Sequence, residues 1–144
     1  MEKEVAILLM SHGDFAKEAK NSAELIVGSQ QNIQTLGVHL EDDLTELRNE
    51  LKQKVAKLDI TNGLVVLTDI VGGTPMNLAA NLVDIDNLLI SSGLNLPLLL
   101  ELCLNRHQDL ESIRALIEAA YQSGQTIRTQ ADFRKEEDED DQIL

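Results

Sequence analysis

Val5-Ala6-Ile7-Leu8-Leu9-Met10, followed at once by Ser11-His12-Gly13, decides how the rest of the chain is read. Six apolar residues without polar alternation leave no face for water, as expected of a strand covered by helices on both sides. From Asp14 the period changes: Ala16, Ala19, Ala23, Ile26 and Val27 fall on one helical face, and Lys17, Lys20 and Glu24 on the other. Gly28 stands where a helix C-cap belongs. The first unit is therefore strand, tight turn, helix.

The same alternation recurs along the chain. A short strand near Ile33 carries Leu36, Val38 and Leu40, and a helix follows. Asp43 with Glu46 forms its capping box, and Leu44, Leu47, Leu51, Val55 and Leu58 its buried stripe. Asn62-Gly63 turns the chain into the apolar run Leu64 to Leu67, which ends on Thr68-Asp69. After the loop Ile70-Val71-Gly72-Gly73, Thr74 is read as an N-cap and Pro75 as the first residue of a third helix, running to Val83. Leu88 to Ile90 is a fourth strand, and helices begin at Pro97 and near Leu110, the latter closing at Gly124. Gln125 to Phe133 is expected to add a short edge strand, with Ile127 as its one strongly apolar residue.

Strands alternating with helices imply right-handed crossovers and an α/β fold: a doubly wound, mainly parallel sheet of strand order 2-1-3-4. In such sheets ligands bind where the strand order reverses, outside the carboxyl ends of strands 1 and 3. Those ends are Ser11-His12-Gly13 and Thr68-Asp69.

Composition narrows the function. The 144 residues hold 12 basic and 25 acidic side chains, a net charge of −13, which repels nucleic acid and anionic membrane surfaces. Six of the acids form the run Glu136 to Asp141, so residues 1–135 carry only −7. Domain organisation follows: one domain over 1–133, and an acidic tail over 134–144 too polar to fold alone. With aromatics at 2% and no Trp, the core must be aliphatic. No apolar stretch approaches the roughly 20 residues of a membrane span, and Glu2-Lys3-Glu4 is not a signal-peptide start, so a cytoplasmic location without membrane insertion is expected. The single cysteine, Cys103, is read as helix core.

Topology thus brings a histidine and a carboxylate together from distant parts of the chain, each beside a helix start. Helix starts present unpaired N–H groups and the positive end of a dipole, a seat for an anion. Gly13, Gly72 and Gly73 let backbone N–H groups approach a bound group, and the Thr74 hydroxyl adds a donor. A carboxylate at Asp69 would fix the tautomer of His12 and leave its other ring nitrogen free to attack a phosphoryl group. No G-x-x-x-x-G-K-[ST] or G-x-G-x-x-G run is present, so no nucleotide cofactor is expected and the phosphoryl group should arrive on another protein. No third ligand stands with His12 and Asp69, so no metal is expected. His39 and His107 are read as non-catalytic.

Three segments, Ser11-His12-Gly13, Thr68-Asp69-Ile70-Val71-Gly72-Gly73-Thr74-Pro75-Met76-Asn77 and Gly93-Leu94-Asn95-Leu96-Pro97, carry a resemblance. Over residues 4 to about 130 the chain resembles the EIIA component of the mannose family (mannose/fructose/sorbose type) of the bacterial phosphoenolpyruvate-dependent sugar phosphotransferase system. The resemblance implies a phosphotransferase in which His12 accepts phosphate from the carrier HPr and passes it to EIIB, which serves the membrane permease. It implies that Asp69 partners the other ring nitrogen, that Gly13, Gly73 and Thr74 surround the phosphoryl group, and that the protein is a homodimer exchanging a C-terminal strand. The acidic run is not part of the family pattern.

Two other readings share the fold: an EIIA-like phosphotransfer subunit of a dihydroxyacetone kinase, and a non-catalytic regulatory or mononucleotide-binding module. Gly72-Gly73-Thr74-Pro75 favours the sugar-transport branch over the first. The scarcity of aromatics to stack a base counts against mononucleotide binding.

Overall fold

The computed structural model describes residues 3–143. Its strands are β1 (Ala6–His12), β2 (Ile33–Val38), β3 (Leu64–Thr68) and β4 (Leu88–Ser92). Between and after them lie α1 (Phe15–Val27), α2 (Leu44–Ala56), α3 (Gly73–Ala79) with a 3-10 turn over Ala80–Leu82, α4 (Leu96–Leu104), α5 (Leu110–Ser123) and α6 (Gln130–Ile143). The sheet order is β2-β1-β3-β4 and every pairing is parallel, the order expected from the sequence.

The unalternating strands are explained by two cores, one on each face. Ile7, Leu9, Val65 and Leu67 pack with α1, α4 and α5, while Leu8, Met10, Leu64 and Val66 pack with α2 and α3. Burying a Leu or Ile contributes about 1.5–3 kcal/mol, so these central strands hold the register and, through it, the site.

Several local expectations are corrected. β1 runs on through Ser11 and His12, because β2 continues to pair with it up to His12↔Val38. Leu40 lies beyond β2 and is fully exposed. Ile26 faces solvent as well, so the stripe of α1 is the narrower set around Ala16 and Ala23. α3 begins at Gly73 with Gly72 as N-cap, so Thr74 is inside the helix rather than its cap.

The expected strand over Gln125–Phe133 is absent. Gln125–Thr129 is irregular and α6 starts at Gln130. A capping box accounts for this: the Thr129 N–H donates to Asp132 Oδ2 at 2.9 Å and the Asp132 N–H donates to Thr129 Oγ1 at 3.3 Å. Arg128 adds an ion pair to Glu136 at 2.8 Å and lies over the Phe133 ring. With Ile127 and Phe133 both exposed, local terms win where no neighbouring strand holds the segment. The acidic run, expected to lack structure, continues this helix to Ile143.

At the amino end of the sheet, opposite His12, sits a residue that the sequence places in a polar link. Arg106 is 3% exposed. Its guanidinium donates to the carbonyl of Gln31 and, at 2.8 Å each, to those of Val5 and Asn32, while its own carbonyl accepts from Val5 N–H. It staples the entries of β1 and β2 to the α4–α5 connection. Replacing it with Ala leaves the buried Val5 carbonyl and the part-buried Gln31 and Asn32 carbonyls without their charged donor, so Arg106→Ala should lose on the order of 3 kcal/mol and lower Tm by roughly 6–12 °C in a thermal melt.

Candidate functional site

His12 is the last residue of β1 and Asp69 follows the last residue of β3. Because the two strands pair directly, residues 57 positions apart meet. Asp69 Oδ2 accepts from the His12 backbone N–H at 2.9 Å and lies 2.8 Å from His12 Nδ1, and Oδ1 accepts from Ile70 N–H at 2.9 Å. The Asp69 N–H in turn donates to Met10 O at 3.2 Å. Burial of the Asp69 carboxyl opposes ionisation, but the hydrogen bonds from His12 and Ile70 outweigh it and hold its pKa below the usual carboxylate value. An ionised Asp69 requires the proton on Nδ1, which leaves the lone pair of Nε2 available. The His12 side chain is 49% exposed against 15% for Asp69, so the imidazole reaches solvent while its orienting partner is sheltered.

Gly73 lies beside the His12 ring. It has φ +80°, and a Cβ there would stand 3.1 Å from His12 Cε1 and 3.3 Å from Nε2. Glycine is thus required twice, by backbone conformation and by the ring against it. Gly72 (φ +76°) and Gly13 (φ +59°) require glycine by conformation alone, since a Cβ at either would meet nothing within 4 Å. No side chain caps α3, so its first amides are open beside Nε2. Thr74 lines a cleft of about 730 Å³ with His12 and Gly13.

The N–H of Gly13 donates to Val38 O at 2.7 Å, so it is not a free donor for a bound anion, and Gly13 serves the turn instead.

Other residues at the site make contacts that residue order does not show. Ser11 is fully buried; its Oγ accepts from Ala16 N–H at 2.8 Å and donates to Gly13 O at 3.2 Å, tying β1 to the start of α1. Gly37 must lack a side chain because a Cβ there would overlap Gly13 O. His39, read as non-catalytic, lines the cleft beside His12, and Gly37-Val38-His39 at the end of the strand next to β1 was the available signal. His107 lies in the α4–α5 connection, at the other end of the sheet. Among the described residues no group of three or more His, Cys, Asp or Glu is arranged to hold a metal ion.

A family model described as the PTS system fructose IIA component, EIIA-man, matches residues 6–121. The chain belongs to the EIIA-man family. This EIIA is 31% identical over 121 residues to the mannose-specific EIIAB component of Escherichia coli K12, a match covering 83% of this chain and 37% of that one. The chain thus spans little more than a third of the length of that relative. It is 30% identical over 111 residues to the fructose-specific EIIA component of Bacillus subtilis, covering 76% of each. Among solved structures, the PTS IIA protein associated with the fucose utilization operon of Streptococcus pneumoniae superposes with a TM-score of 0.76 at 31% identity, covering 88% of this chain and 96% of that one.

Gly73→Ala should cost about 1–3 kcal/mol through the positive φ and push the His12 ring from Asp69, visible as a lowered Tm and a changed imidazole NMR signal. Asp69 titrates lower folded than unfolded, so its stabilisation is present above pH ~4 and is lost as pH falls through the folded value. Urea midpoints of wild type and Asp69→Asn should therefore differ most near neutrality and converge in acid.

Proposed function

We propose that this EIIA is a phosphoryl carrier of a sugar phosphotransferase system, with His12 Nε2 as the acceptor. The observation that carries the reading is the Asp69 contact to Nδ1 at 2.8 Å, with Nε2 exposed beside the uncapped start of α3. In the forward step the N–P bond of the HPr phosphohistidine breaks and its electron pair returns to the donor nitrogen. The Nε2 lone pair forms the new N–P bond, while the proton stays on Nδ1 and remains donated to the Asp69 carboxylate. Nothing is oxidised and no water is consumed. Asp69 stabilises the imidazolium character that develops as the bond forms, and the same contact persists when the group moves on to EIIB. The amides of Gly72, Gly73 and Thr74 and the Thr74 hydroxyl would receive the phosphoryl oxygens, with Gly13 shaping the turn.

The partners in this reading are HPr, EIIB and, through EIIB, a membrane permease, and the location is the cytoplasm. Among the described residues no helix is long and apolar enough to cross a membrane. The homodimer expected from the resemblance belongs to the same proposal, supported by the edge of β4 that no other strand covers among the described residues. A net charge of −13 suits brief, steered encounters with basic partner faces.

The experiment is phosphorylation by labelled phosphoenolpyruvate, enzyme I and HPr. One acid-labile phosphoryl group per chain is expected, absent in His12→Ala; label that persists in this variant would remove His12 from the mechanism. Asp69→Ala should slow transfer by roughly 100-fold or more while leaving the fold intact. Transfer from HPr should also slow as ionic strength rises, and a flat salt profile would contradict the electrostatic part of the reading.

A further inference from the structure

We propose that His39 is a positioning residue for partner docking at His12, holding the β2–α2 connection against the Gly13 turn. This rests on the phosphoryl-carrier reading of the site. Asp14 is the first observation. It occupies the N-cap of α1, where an aspartate ordinarily accepts from an amide of the first turn, yet its side chain makes no such bond. The amide it would have taken, Ala16 N–H, is held by Ser11 Oγ instead. The Asp14 carboxylate is thereby released, and Oδ1 lies 3.1 Å from His39 Nε2.

The second observation is the turn at His39. Asp42 Oδ2 accepts from the His39 backbone N–H at 2.7 Å and lies 3.6 Å from its Nδ1, while Asp42 N–H donates to His39 O at 3.1 Å. The imidazole is thus flanked by carboxylates from two elements, with Lys17, Glu50 and Lys54 lining the shallow depression on the same side. The third is Gly37: a Cβ there would overlap Gly13 O and stand 3.4 Å from His39 Cε1, so the ring covers the junction where the Gly13 turn presses on β2.

The segment held in this way carries Leu40 and Leu44, both exposed and both on the cleft that His12 opens into. A pair with side chains 56% and 71% exposed contributes little to stability, so its consequence is the placement of that apolar wall. A partner delivering a phosphoryl group to Nε2 would meet the wall, whereas His39 itself reaches no reacting atom. Loss of the contact should therefore raise KM for the phosphorylated donor and spare kcat.

The test uses the full chain with HPr kept phosphorylated by phosphoenolpyruvate and enzyme I. His39→Ala should raise KM roughly 3- to 10-fold with kcat within about 2-fold of wild type and Tm within about 4 °C. His39→Gln, which can still donate to Asp14, should restore most of the KM. Asp14→Ala should reproduce the rise, and the double variant should be no worse than either single one. Unchanged KM in His39→Ala, a loss confined to kcat, or additive effects of the two alanine variants would each overturn the proposal. Should His39→Ala not fold, Asp14→Ala decides by the same KM criterion. Failure of wild type to take up phosphate would instead overturn the carrier reading on which the proposal stands.

Discussion

The Asp69 carboxylate binds three N–H groups that the sheet delivers to it: the backbone and ring of His12 and the backbone of Ile70. Each bond alone is ordinary, and together they join the carboxyl ends of the two central strands. The backbone bond fixes where β1 ends relative to β3, the ring bond orients the imidazole, and the Ile70 bond starts the loop that places Gly72 and Gly73 beside it. A carboxylate satisfied in this way stays charged despite partial burial, and its charge keeps the proton on Nδ1. The orientation of the imidazole, with Nε2 left unpaired by Asp69, is thus a property of strand pairing as much as of side-chain chemistry.

Glycine works around this centre by two different means. At Gly13 and Gly72 a side chain would have room, and only the left-handed backbone excludes it; at Gly37 and Gly73 a side chain would strike a neighbouring carbonyl or the His12 ring. The first pair shapes loops, and the second lets parts of the site lie closer than any other residue permits. Ser11 adds the tie between strand and helix, freeing Asp14 from the capping role its position suggests.

The two ends of the sheet divide the labour. Arg106 gathers the entries of β1 and β2 through three backbone carbonyls that accept from its charged guanidinium, while its buried Nε is left without a partner. The site end keeps open amides, an exposed imidazole and apolar side chains such as Leu40, Ile70 and Val71 in solvent. The buried guanidinium ties thus lie at the end of the sheet away from the candidate site, whose own surface stays exposed.

Strand 1, the alternation of strands and helices, the sheet order and the pairing of His12 with Asp69 were legible in residue order, because unbroken apolar runs and helix caps are local patterns and parallel crossovers have one hand. Reading failed at Gln125–Phe133, where an apolar residue suggested a strand although Thr129 and Asp132 already formed a capping box. It also missed Arg106, whose burial depends on carbonyls more than 70 positions earlier, and His39, whose partner Asp14 is 25 positions away. Residue order by itself determined the α/β class, the two loops of the site and the residue types within them. Only the tertiary structure decided which ring nitrogen is free, that the Gly13 amide is spent within the fold, and that Gly37 and His39 border the site. Those outcomes rest on distances of about 3 Å between distant parts of the chain, and local patterning carries no information about such distances.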